Sequence, residues 1–162
     1  VAQVKESGCS LLLYKDARVD MNILDTTPGI GPGNWQRRHY ECKGNLFCSV
    51  GIKIDGEWVW KDDAGAESQA EKEKGESSDS FKRACVNWGI GRELYTAPFI
   101  WIPSFEVSIV SKNGEATTYD KFEVTKIAYT EDRKISGLAI WRLANKDKDR
   151  KRVFVWQGGT NE

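Results

Sequence analysis

The sequence predicts an α+β fold: a curved antiparallel sheet in a β-β-β-α core, packed on one long helix, with a C-terminal antiparallel β extension. Three observations lead there. Residues 46–54 alternate, with Leu46, Cys48, Val50, Ile52 and Ile54 on one face, and Asp55-Gly56 follows as a tight hairpin turn. Phe81, Ala84, Cys85 and Trp88 recur at the spacing of an amphipathic helix. The last third holds further alternating runs separated by turn residues, Lys112-Asn113-Gly114 among them.

The elements follow in order. Residues 14–25 read as a short helix, with Val19, Ile23 and Leu24 at helical spacing, and the Pro- and Gly-dominated stretch 26–33 stops it. The two-residue turn at Asp55-Gly56 sets Ile54 opposite Glu57, Lys53 opposite Trp58 and Ile52 opposite Val59. Directly paired residues share a face, so Ile52, Ile54 and Val59 are expected on the core side. Trp58 and Trp60 then stand on the other side with Lys53 and Ser49. That second face is open to two readings, a contact with DNA or a neighbouring subunit, or a second packed layer of the same domain.

Residues 62–79 form a charged stretch that leads into a helix over 77–94, with Ser78 or Asp79 as N-cap. Gly89 and Gly91 end that helix and Pro98 seals the stop. Phe105, Val107 and Ile109 predict a strand, as do 122–128, 135–143 and 152–156, the last two joined by a charged turn at 145–149. No repeat or long linker divides the chain. Residues 1–162 therefore read as a single domain, a core over about 14–98 and a β-rich extension over about 99–157.

Composition narrows the function. A chain of 162 residues buries a core without disulfide staples. Seven tryptophans imply large rings in cores or interfaces. Basic and acidic residues balance at 24 each, so a nucleic-acid site requires local segregation of charge. No apolar run reaches the ~20 residues that span a bilayer, and residues 1–8 show no signal-peptide pattern. Cys9, Cys42, Cys48 and Cys85 form no CxxC pair and His39 is the one histidine, so no zinc cluster is expected. All four cysteines read as buried small apolar residues in a reducing cytoplasm.

One run of residues carries more. Tyr14-Lys15-Asp16-Ala17-Arg18, Leu24-Asp25, the Gly-rich turn and Asn34-Trp35 are followed by Gly56-Glu57-Trp58-Val59 and Asp63-Ala64-Gly65. Ser78-Asp79-Ser80-Phe81-Lys82-Arg83-Ala84, Trp88-Gly89-Ile90-Gly91-Arg92, Leu94-Tyr95 and Pro98 close the series. In order and spacing these fragments resemble the Rad fifty-two type single-strand DNA annealing proteins, in the branch carried by bacteria and their phages. The resemblance covers roughly 14–98.

The resemblance implies a non-enzymatic protein of recombination and repair that anneals complementary strands without ATP or metal. It implies homo-oligomeric rings or helical assemblies and single-stranded DNA held by its phosphates in a basic groove, with bases left free to pair. A phage or host single-strand binding protein is a further implied partner, and the bacterial cytoplasm and nucleoid the implied location. Carried over by residue, the helix-borne basic pair falls on Lys82 and Arg83, and the early helix's basic residue on Arg18. Helical geometry agrees: Lys82 lies on the flank of the apolar stripe and Arg83 nearly opposite it.

Arg37 and Arg38 are further DNA-binding candidates, but adjacent strand residues point to opposite faces, so only one can serve a given groove. Arg142, Lys146, Lys148, Arg150, Lys151 and Arg152 surround the last hairpin, where Asp147 and Asp149 dilute their charge. They read as a second phosphate contact or as a solvated hairpin tip, and the tip is the expectation. Since annealing requires free bases, Trp58 and Trp60 are expected to pack, against the C-terminal strands or a neighbouring subunit.

Two rivals stand beside annealing. A metal-dependent nuclease needs an acid at a strand end and an acid-x-Lys pair on the next strand. The pattern occurs at Glu41-Cys42-Lys43, Asp132-Arg133-Lys134 and Asp149-Arg150-Lys151, but the last two fall in turns and no Pro-Asp strand end exists. A passive single-strand binding or end-protecting protein needs the same groove as an annealing protein.

Overall fold

The computed structural model describes residues 1–65, 72–143 and 150–158. Along the chain come β1 (Gln3–Lys5), β2 (Gly8–Leu11), α1 (Ala17–Thr26), β3 (Trp35–Cys42), β4 (Asn45–Ile54), β5 (Glu57–Ala64) and α2 (Lys72–Asn87). Then follow β6 (Ile100–Pro103), β7 (Val110–Lys112), β8 (Glu115–Thr117), β9 (Lys121–Tyr129), β10 (Ile135–Leu143) and β11 (Lys151–Gln157). The class is α+β and the strand pairings are antiparallel. The architecture differs from one curved sheet on one long helix. Among the described residues the sheets are small and separate, ordered β1-β2-β6, β11-β10-β9, β3-β4-β5 and β7-β8, and the α-helices are two.

The chain forms two compact units. Lys15–Arg92 is one, and Val1–Tyr14 together with Glu93–Glu162 is the other. In the second, β2 pairs with β6 through Cys9 opposite Ile102 and Leu11 opposite Ile100. These four residues join Val107, Ile135, Leu138 and Ile140 in a buried cluster. The N-terminal strands have no counterpart in the sequence reading, because their pattern is only a few residues long and their partner lies far along the chain.

In the unit Lys15–Arg92, Asp16 caps α1 by accepting from the Arg18 backbone N–H at 2.8 Å. The hairpin register is as read from the turn: Ile52 faces Val59, Lys53 faces Trp58 and Ile54 faces Glu57. Asp55 and Gly56 both take positive φ, 51° and 88°, as a type I′ turn demands. Lys43 and Gly44 make the same kind of turn between β3 and β4, at 51° and 76°. Cys48, Val50 and Ile52 are buried with Leu24, Phe81, Ala84, Cys85 and Ile90. The stripe read from the sequence is thus the surface α2 lays on this sheet.

Several expectations are corrected. Ile54 and Val59 share the core face, but they lie at the hairpin tip and are exposed. β4, which holds the alternating residues 46–54, is the central strand, between β3 and β5. α2 runs from Lys72 to Asn87, placing Ser78 and Asp79 inside it. Good helix formers such as Lys72, Glu73, Lys74 and Glu76 extend it beyond the apolar stripe. Residues 104–106 make a 3-10 turn in place of a strand, and β7 begins only at Val110. Cys42 is exposed, whereas Cys9, Cys48 and Cys85 are buried. The turn 145–149 lies outside the described residues.

The C-terminal end of α2 is held by cations. Lys61 donates to the Asn87 carbonyl at 2.9 Å, and Arg92 to those of Val86 and Asn87 at 2.8 and 3.1 Å. These carbonyls lie at the negative end of the helix dipole, and that of Val86 also accepts from the Gly89 N–H at 2.9 Å. The Lys61 ammonium also lies 4.4 Å from the Trp88 ring centroid. Beyond the helix, Gly91 takes φ 80°, and a Cβ there would run into the Lys15 side chain. Lys15 reaches past it to an ion pair with the fully buried Asp20.

Candidate nucleic-acid interface

The helix-borne pair does not face one groove. Arg83 turns to β5, where its guanidinium lies 3.4 Å from Asp63. The Asp16 carboxyl is held below its ordinary pKa first by the Arg18 backbone N–H and then by the Arg18 side chain, with Lys82 near enough to add to that field. Arg18 pairs with the exposed Asp16 at 3.1 Å, and Lys82 adds a weaker field at the same acid. Arg83 stands apart, partly neutralised.

Arg37 and Arg38 point to opposite faces, as adjacent strand residues must. Arg37 is on the helix side, 5.1 Å from the Phe81 ring centroid, and Arg38 is on the other side, 4.1 Å from that of Trp60. His39, to which the sequence reading gave no role, ties β3 to α2: its Nε2 lies 3.2 Å from both the carbonyl and the hydroxyl oxygen of Ser77.

The helix-free face of the sheet follows from the register. Gln36, Gly51 and Trp60 form one row across the three strands; Arg38, Ser49 and Asp62 form the next, and Tyr40, Phe47 and Ala64 a third. Gly51 has no side chain, and the Trp60 indole fills the space above it; a Cβ there would stand 2.7 Å from the ring. Trp58 tilts against Trp60 with centroids 5.9 Å apart, and Tyr40 stacks on Phe47 at 5.4 Å. The one signal for this layer in the sequence was the pair of tryptophans placed opposite the core by the Asp55-Gly56 turn. Neither ring belongs to a buried core.

The cations around the last hairpin are drawn to acids of their own unit. Arg142 lies 3.6 Å from Asp120 and donates to the Glu106 carbonyl at 3.0 Å; Arg150 meets Glu123 and Lys151 meets Glu106, both at 2.7 Å. Lys146 and Lys148 lie outside the described residues. Among the described residues no three His, Cys, Asp or Glu side chains converge as a metal site requires. No described helix is long and apolar enough to cross a membrane. No protein-family model, curated protein or solved structure matches the chain.

Proposed function

We propose that the chain binds single-stranded DNA and anneals complementary strands in recombination and repair. Arg18 and Lys82 hold phosphates and the bases are left free to pair, without ATP or metal. The observation that carries the reading is the exposed pair of Arg18 and Asp16, 3.1 Å apart, at a carboxyl whose field Lys82 also reaches. Arg18 and Lys82 are two of the residues that match the annealing family's basic positions. Opposing one acid with two cations gives the local excess of positive charge that a neutral chain needs to hold a phosphate. Annealing then follows from raised local strand concentration and from ordering the strand before it pairs.

Self-assembly into rings or filaments is part of the same proposal. The strands available for it in the unit Lys15–Arg92 are β3 and β5, the edges of their sheet. The experiment is equilibrium binding of a labelled oligonucleotide and of its duplex, in a chelating buffer at low salt. The single strand is expected to bind more tightly than the duplex, and failure of both to bind at micromolar protein contradicts the reading.

A further inference from the structure

The helix-free face of β3-β4-β5 is built for planar, anionic chains. Trp60 lies over Gly51, Trp58 leans against it, and the Arg38 guanidinium stands over the Trp60 ring. Gln36, Arg38, Tyr40 and Lys53 on this face are exposed in the whole chain. Asp62, the acid among these rows, accepts from the Tyr40 hydroxyl at 2.9 Å and from Ser49 at 2.5 Å. Asp62 is exposed, as Arg38 and Lys53 are, and its two carboxylate oxygens are taken up by these hydroxyls.

We propose that this face is a base-stacking platform for single-stranded DNA, with Trp58 and the Arg38 plane that covers Trp60 receiving bases and Lys53 facing a phosphate. The proposal rests on the binding reading above and adds a second contact, on the opposite face of the sheet from Arg18 and Lys82. Aromatic rings and guanidinium planes accept any base, because every base has a π-face, and flanking cations suit the backbone. Trp58 and the covered Trp60, with centroids 5.9 Å apart, serve one or two bases. The platform therefore anchors a strand and leaves its remaining bases free for pairing. Burial in the fold does not account for these tryptophans, since they lie outside both cores. Rings flanked by Arg38 and Lys53 match a nucleic acid better than an apolar peptide, which would find Arg38, Lys53 and Gln36 in its path.

The test compares oligothymidine with an abasic oligonucleotide of equal length and charge. The wild-type protein is expected to prefer oligothymidine by about tenfold, and Trp58→Leu to remove that preference. Photo-cross-linking of the wild-type protein to an oligonucleotide carrying 5-iododeoxyuridine decides independently of any variant's folding, with adducts expected on β5 within Glu57–Ala64. Equal affinity for the two oligonucleotides, or adducts confined to residues outside β3–β5, overturns the platform while leaving phosphate binding intact. Failure to bind either oligonucleotide removes the binding reading as well. Oligomers that disappear in Trp58→Leu, with no base preference in the wild type, make the face a contact between copies and overturn the proposal.

Discussion

Gly51 and Trp60 stand directly opposite one another on β4 and β5, and the indole occupies the space where a side chain at position 51 would be. Gly51→Ala places a Cβ 2.7 Å from that ring. The expected cost is about 1–3 kcal/mol, the range for overpacking a filled site, read as a lowered urea midpoint with an unchanged slope. A neutral substitution would show that the indole is free to lift off the sheet.

The buried ion pair of Lys15 and Asp20 yields a larger effect. Lys15→Ala leaves Asp20 in the interior without its ammonium partner, and breaking such a pair costs about 3–5 kcal/mol. Denaturant unfolding measures it. Gly91→Ala is expected to be destabilising at the same place, because the new Cβ meets Lys15 and the residue is held at φ 80°.

Thiol chemistry separates the cysteines. Burial pushes Cys85 up to about 12 and Cys48 up to about 11, and raises Cys9 as well. A thiol-specific dye at pH 8 is expected to label Cys42 quickly in the native protein and the other three only after unfolding. The same shifts fix the sign of the pH dependence. Folded pKa values above the unfolded value near 9 mean that this contribution is complete below pH 9 and is lost as pH rises toward 11–12. Urea midpoints that stay level from pH 8 to 11 contradict it.

The basic residues are expected to act unequally. Arg18→Ala and Lys82→Ala each weaken single-strand binding and make its salt dependence shallower by roughly 0.7 per charge. Arg83→Ala has a smaller effect, because Asp63 already faces its guanidinium. Equal losses at all three positions would mean that Arg83 leaves Asp63 to join the same site.

How much of this was legible differs by element. The Asp55-Gly56 turn set the pairing of β4 with β5 residue by residue, because a two-residue loop leaves no freedom of register. The stripe from Phe81 to Trp88 identified the buried face of α2 for the same reason of fixed period. The start of α2 was not legible: its first turns hold no apolar marker, and Ser78 and Asp79 resemble a cap wherever they stand. β1 and β2 were hidden by shortness, and Gly51 read as a gap in a strand until the indole opposite it was placed. Lys82 and Arg83 were legible as cations off the apolar stripe, though only Arg83 is exposed and Lys82 is half-buried. Their divergence was not, since it depends on Asp63 and Asp16, which the fold brings to opposite flanks of one helix.

The most direct measurement is the rate at which two dye-labelled complementary oligonucleotides become duplex, in chelator and without nucleotide, with the wild-type chain and with the Arg18→Ala/Lys82→Ala double variant. Annealing through a phosphate-holding patch requires the wild type to accelerate pairing well above the protein-free rate and the double variant to lose most of that acceleration while still folding. A wild-type chain that binds single strands yet leaves the pairing rate unchanged or slower would contradict annealing and identify a passive single-strand binding protein.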